Sequence, residues 1–273
     1  MDRIGRPRLA TTIAAEPPRD ISAPTTADQA ARPPRPGLGR RAAAEGLAAF
    51  ALVFAGCGAI VTDARYDGAL GAVGISLVFG LIIMVMIYAI GHLSGAHINP
   101  AVTLAFTLTR HFPAREAAAY IAAQVAGATA AALALRAVWT DKPANLGATV
   151  PTIGAGSAFV YEFLLTAFLM FVIVAVATDT RAVGAAAAIA IGATVGLDAL
   201  FGGPVTGASM NPARSLAPAL VSGTWTDFWV YLAGPTLGAA AGALAYQAIR
   251  GHPDDPLPRG EHADGARAVR LPA

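Results

Sequence analysis

The sequence predicts an all-α membrane protein with six transmembrane helices and two re-entrant half-helices, arranged as an inverted repeat. Three observations predict it. Six apolar stretches are each long enough, at about 20 residues, to cross the hydrocarbon of a bilayer. Charged residues make up 13% of the 273, against about a quarter in soluble domains. The triplet Asn-Pro-Ala occurs twice, at Asn99-Pro100-Ala101 and Asn211-Pro212-Ala213, 112 residues apart.

Residues 1–41 are rich in Pro and Arg, with little that could bury a core, and are expected to be a disordered tail. No apolar run directly follows the first basic residues, so a cleaved signal peptide is not expected. The spans are placed near 42–62, 70–91, 115–137, 158–178, 183–202 and 226–249. Charged residues such as Asp63, Arg110, Asp141, Lys142 and Asp227 fall in the interruptions. Every backbone group in lipid must be paired, and the spans lack the short alternation of barrel strands, so they read as helices. Residues 42–249 form the membrane domain, with repeats at 42–137 and 158–249, and 250–273 is a second disordered tail.

Arg40, Arg41, Arg110, Arg115, Arg181 and Arg250 collect on one side of this arrangement, and Arg65, Arg136 and Lys142 on the other. That excess puts both termini in the cytoplasm and the chain in the cell (inner) membrane. The net charge of +2 is small and its basic residues lie mainly in the tails, which argues against a nucleic-acid partner and for solvent or anionic lipid. The single cysteine, Cys57, cannot form an intrachain disulfide and reads as a small core hydrophobe. No His, Cys and acid cluster has metal-ligand spacing, so no metal and no cofactor is expected.

Each Asn-Pro-Ala follows a long apolar span and opens a short apolar segment. Asn is a good N-cap and Pro is tolerated at the first helical position, so each triplet marks the start of a half-helix. Its positive dipole end lies at the Asn. Two half-helices in corresponding places of two inverted halves point to a site near the bilayer midplane. Glu45 and Glu162 lie early in the first span of each half. Small residues at Gly56, Gly58, Gly80, Gly127, Gly192, Gly196, Gly234, Gly238 and Gly242 are expected at helix contacts.

On these residues the chain resembles the aquaporin (major intrinsic protein) superfamily over about residues 42–249. The stretches Gly91-His92-Leu93-Ser94-Gly95-Ala96-His97-Ile98-Asn99-Pro100 and Gly207-Ala208-Ser209-Met210-Asn211-Pro212-Ala213-Arg214-Ser215-Leu216 are similar to those of nodulin-26-like channels and their bacterial relatives, which are often associated with metalloid handling. The resemblance implies a passive channel, a homotetramer with one pore per chain, and no enzymatic activity. It implies that Asn99 and Asn211 meet tip to tip and donate to solute, and that Arg214 lies at an outer constriction with Phe79, Ala199 and Ala208 as the other filter positions. Ala199 stands where strict water channels carry histidine, so the implied pore is wide enough for glycerol-like polyols and neutral metalloid acids such as arsenous acid as well as water. Ser215 stands where glycerol channels usually carry Asp.

Glu45 and Glu162 are implied acceptors for the backbone of the re-entrant loops. His92 and His97 read as loop-bracing or pore-lining donors. Arg214 could instead pair with Glu162 in a structural salt bridge. Asp198, an acid at membrane depth, is read either as snorkelling to the outer interface or as holding the outer loop or Arg214. Two other functions compete: a strict water channel and an ion-coupled secondary transporter. The transporter is disfavoured because the spans lack a chain of acids or histidines. An enzyme is disfavoured because no nucleophile–base pair or phosphate loop is visible.

Overall fold

The computed structural model describes residues 36–178 and 186–250, and the tail readings outside those ranges lie beyond the described residues. The first half comprises α1 (Leu38–Arg65), α2 (Gly71–Ser94), the short α3 (Pro100–Leu108) and α4 (Ala114–Val138). The second repeats this order with α5 (Ala155–Thr178), α6 (Ala187–Thr206), the short α7 (Pro212–Ser222) and α8 (Trp229–Arg250). Helix α1 begins inside the stretch expected to end the N-terminal tail. Helix α6 ends four residues beyond the expected boundary at 202 and runs through Pro204 in its last turn.

Among the described residues, five helices are long and apolar enough to cross a membrane: α1, α2, α4, α5 and α6. Helix α8, the expected sixth span, is 22 residues long but dilutes its apolar residues with Gly234, Pro235, Gly238 and Gly242. The reason is packing. A Cβ at Gly238 or Gly242 would overlap the α5 carbonyls of Phe163 and Ala167. Helix α8 therefore lies directly against the α5 backbone, where hydropathy matters less than size. The same device joins α1 to α4, where a Cβ on Gly127 would strike the Gly46 carbonyl, and α2 to α6, where one on Gly80 would sit 2.6 Å from the Gly192 oxygen.

The outward faces are apolar. Leu47, Phe54, Val73, Leu77, Leu81, Val85, Leu164 and Phe168 are all exposed. An apolar belt on this scale matches lipid rather than water. The chain is an integral, multi-pass membrane protein whose helices enclose the two short ones.

Candidate functional site

The site starts with two turns of unusual backbone. After α2 the chain passes through Gly95 (φ 91°), Ala96 (φ 49°) and Ile98 (φ 56°); after α6 it passes through Gly207 (φ 88°), Ala208 (φ 40°) and Met210 (φ 52°). Left-handed conformations at non-glycine residues cost about 1–3 kcal/mol each and persist only where the surroundings fix them. Two buried carboxylates do the fixing. Glu45 accepts from the Ser94 hydroxyl (2.7 Å), the His97 N–H (2.9 Å), the Ile98 N–H (2.6 Å) and the Gln124 amide (2.9 Å). Glu162 accepts from the Thr206 hydroxyl (2.7 Å), the Ser209 N–H (2.9 Å) and the Met210 N–H (2.9 Å). Tyr120 donates to the Ser94 carbonyl and Tyr231 to the Thr206 carbonyl, at 2.8 and 2.6 Å. Apart from the Gln124 bond, the two halves thus use the same bonds at matching positions.

Each turn ends on an asparagine with extended backbone. The Asn99 side-chain oxygen accepts from the Ala101 N–H at 2.9 Å, and that of Asn211 from Ala213 and Arg214 at 3.0 and 3.3 Å. These are N-caps of α3 and α7, each with Pro at the first helical position. The amide nitrogens cross over: Asn99 Nδ2 donates to the Met210 carbonyl at 2.7 Å, and Asn211 Nδ2 to the Ile98 carbonyl at 3.0 Å. The tips of the two half-helices are therefore tied to each other. Each amide nitrogen carries two hydrogens, so one donor per asparagine remains after the cross-bond.

A narrow internal passage of about 120 Å³ runs past these tips, lined by Asn99, Asn211, His97, Phe79, Ala208 and Arg214 among others. A second, wider cavity of about 440 Å³ lies toward the connection between α1 and α2, lined by Asp63, Ser76, Asn145 and Thr149 among others. Phe79, Ala199 and Arg214 line both cavities, so the two spaces meet at these side chains.

Arg214 is only 2% exposed. Its Nη1 donates to the Gly147 carbonyl at 2.7 Å, and its guanidinium carbon lies 5.1 Å from the centroid of the Phe79 ring. Nε and Nη2 have no partner among the described residues. The salt bridge with Glu162 considered from sequence is not made: Glu162 spends its oxygens on the loop. Gly147 closes a left-handed turn, Pro143–Gly147, in which Ala144, Asn145 and Leu146 all have positive φ. Cys57 packs behind this turn, its Sγ 3.8 Å from the same Gly147 oxygen. Thr149, Ser215 and Ser209 form a hydroxyl chain, with bonds of 2.8 and 2.5 Å, that ties the connection before α5 to the second loop.

His97 sits among Phe106, Phe112 and Tyr120, with ring centroids 4.8 to 5.3 Å away, and its Nδ1 is 3.2 Å from the Thr103 hydroxyl. His92 differs from expectation. It is exposed on the last turn of α2 and makes none of the loop's hydrogen bonds; the helical spacing puts it on the opposite side from Ser94. Asp198 differs as well. It is fully buried, so it does not snorkel, and neither carboxylate oxygen has a hydrogen-bond partner among the described residues, so it holds neither the loop nor Arg214. It lies beside Tyr161, Leu165 and Phe201 at a side cavity between α5 and α6.

Sequence reasoning missed Ser94, Thr206, Tyr120, Tyr231, Gln124 and Gly147. The first four were detectable from the repeat itself, since Ser94 and Thr206 precede their asparagines by five residues and the tyrosines follow about 20 residues after them.

The family profile described as "Major intrinsic protein" matches residues 35–246. The chain belongs to the major intrinsic protein family. Aquaporin NIP1-3 of Oryza sativa subsp. japonica is 50% identical to it over 214 residues, covering 78% of this chain and 74% of that protein. Nodulin-26 of Glycine max is 48% identical over 214 residues, covering 78% and 79%. Among solved structures, the aquaglyceroporin from Plasmodium falciparum superposes with a TM-score of 0.68 at 26% identity, over 77% of this chain and 96% of that one. As a member of this family the chain is a channel for small neutral solutes across a membrane, not an enzyme.

Proposed function

We propose that the passage conducts water, glycerol-like polyols and neutral metalloid acids such as arsenous acid, and excludes protons and ions. The ring at the junction of the two cavities carries this reading. Of its four members, Phe79 gives one apolar wall, Ala199 and Ala208 add little bulk, and Arg214 supplies donors. Such a ring admits an uncharged hydroxyl-bearing solute, whose oxygens take the free guanidinium hydrogens while its carbon or metalloid centre lies against Phe79. Asn99 and Asn211 offer the next donors along the path. A cation meets the Arg214 charge and two helix N-termini, without a ring of carbonyls to replace its hydration.

The strict water channel is the second reading, and the small side chain at Ala199 is the observation against it. Against an ion-coupled transporter stands the lining of the narrow passage: its ionisable members among the described residues are His97 and Arg214, with no acid. The basic residues Arg40, Arg41, Arg110, Arg115 and Arg250 support cytoplasmic termini in the cell membrane. The wide cavity then opens outward. A homotetramer follows from the family resemblance and completes the proposal.

Light scattering from proteoliposomes tests the reading, with water, glycerol and boric or arsenous acid as probes. Entry of all three classes, set only by the solute gradient, is expected. Water entry alone would overturn the wide-ring reading. Dependence on an imposed proton or sodium gradient would favour the transporter.

A further inference from the structure

We propose that Asp63 is a specificity-determining residue that keeps small anions off Arg214. This rests on the passage being the conducting path. Arg214 repels cations, but the same charge attracts anions. Its Nε and Nη2 are buried and have no hydrogen-bond partner among the described residues, and together they form a planar fork that would hold a planar oxyanion reaching the ring. An anion resting there would plug the ring against neutral solutes.

The wide cavity leading to Arg214 contains one counter-charge. Of the described residues that line it, Asp63 and Arg214 are the ionisable ones; Arg65 at the end of α1 and Asp67 in the connection that follows do not line it. The Asp63 carboxylate is also held in place. Its Oδ1 accepts from the backbone N–H of Leu70 at 2.9 Å and of Gly71 at 2.7 Å. Those bonds close a connection that bends through Asp67, Gly68 and Gly71, all at positive φ. A fixed negative charge at the cavity wall lowers the positive potential that Arg214 would otherwise project into it. Cations gain nothing by entering, because the ring still stops them. Anions lose the attraction that would bring them to the ring.

Asp63→Asn separates charge from structure, because asparagine keeps the oxygen that accepts from Leu70 and Gly71. The assay is glycerol entry into proteoliposomes in sodium nitrate and in sodium gluconate at one ionic strength, read as the nitrate-to-gluconate ratio for each chain. Nitrate is planar and small; gluconate is too bulky for the ring. For charges on the order of 10 Å apart, at effective dielectric constants between about 80 and 20, the half-inhibiting nitrate concentration should fall about two- to fifteenfold in Asp63→Asn. Asp63→Glu, which keeps the charge, should track the wild-type ratio. Equal ratios in the wild-type and Asp63→Asn chains, or a loss of entry that is the same in both salts, would overturn the assignment to Asp63. Absence of glycerol entry in the wild-type chain would overturn the conducting-path reading and this assignment with it.

Discussion

Replacing Glu162 by glutamine probes how the second re-entrant loop is held. The wild-type carboxylate accepts three hydrogen bonds, from Thr206 Oγ1, Ser209 N–H and Met210 N–H. Glutamine has one oxygen and one NH2. With the NH2 at one carboxylate position it faces the Met210 N–H. At the other it faces the Ser209 N–H, while the Thr206 hydroxyl can turn to accept. Either way one buried backbone donor is orphaned, at a cost of about 1–3 kcal/mol, and each surviving bond loses about 1 kcal/mol of charge assistance. The neutral amide is cheaper to bury than the carboxylate, which offsets part of this. The net is a loss of about 2–4 kcal/mol. Alanine orphans both backbone donors and leaves a cavity, for about 4 kcal/mol or more. At about 2–4 °C per kcal/mol for a chain of this size, Glu162→Gln should lower the unfolding midpoint of the purified protein by about 5–15 °C, and Glu162→Ala by more. Solute flux should fall in step, because Met210 and Asn211 lose their fixed positions. A Glu162→Gln chain that unfolds at the wild-type temperature and conducts equally would refute the idea that this carboxylate holds the loop.

Three further perturbations follow from the same geometry. A Cβ at Gly56 would overlap the Phe79 ring, so Gly56→Ala should push Phe79 into the passage and cut glycerol flux several-fold more than water flux in the liposome assay. Arg214→Lys keeps the charge but cannot both reach Gly147 and present a fork, so ion exclusion should persist while the glycerol-to-water ratio changes; Arg214→Ala should in addition admit a proton leak, read with an entrapped pH dye. His111, in the connection after α3, has its pKa lowered by burial and then by the nearby Arg250 charge. Its neutral form is the one the fold prefers, so stability present above the ordinary imidazole range should be lost as pH falls through and below it, and His111→Gln should flatten that slope in thermal melts.

Much of the fold was legible because its strongest signals are local. Apolar length marked the spans, and Asn-Pro marked the half-helix starts, since both depend on a few consecutive residues. The paired glutamates were legible only through the repeat. Features that depend on close contact between distant segments were not. Gly147 reads as an ordinary loop glycine, and nothing near it in sequence shows that its carbonyl meets Arg214, 67 residues on. Gly56 lies at a helix contact, as expected, but nothing local shows that the group it makes room for is the Phe79 ring of α2. His92 reads as a loop or pore donor from its residue type, but its position on the helix turns it away from the loop; for Asp198 the residue type leaves two readings open, and its burial without a hydrogen-bond partner among the described residues fits neither. The glycines that dilute α8 are expected at helix contacts, and Gly238 and Gly242 are where it packs on the α5 backbone; the sequence does not show which helix it meets.

The most direct test of the whole account replaces Ala199, one of the three side chains shared by both cavities. Histidine there should narrow the ring and face Arg214 with a second polar group. Stopped-flow light scattering on proteoliposomes should then show glycerol and boric acid entry reduced at least tenfold in Ala199→His, with water entry retained. Unchanged glycerol entry in a folded Ala199→His chain would contradict the claim that solutes pass through this ring.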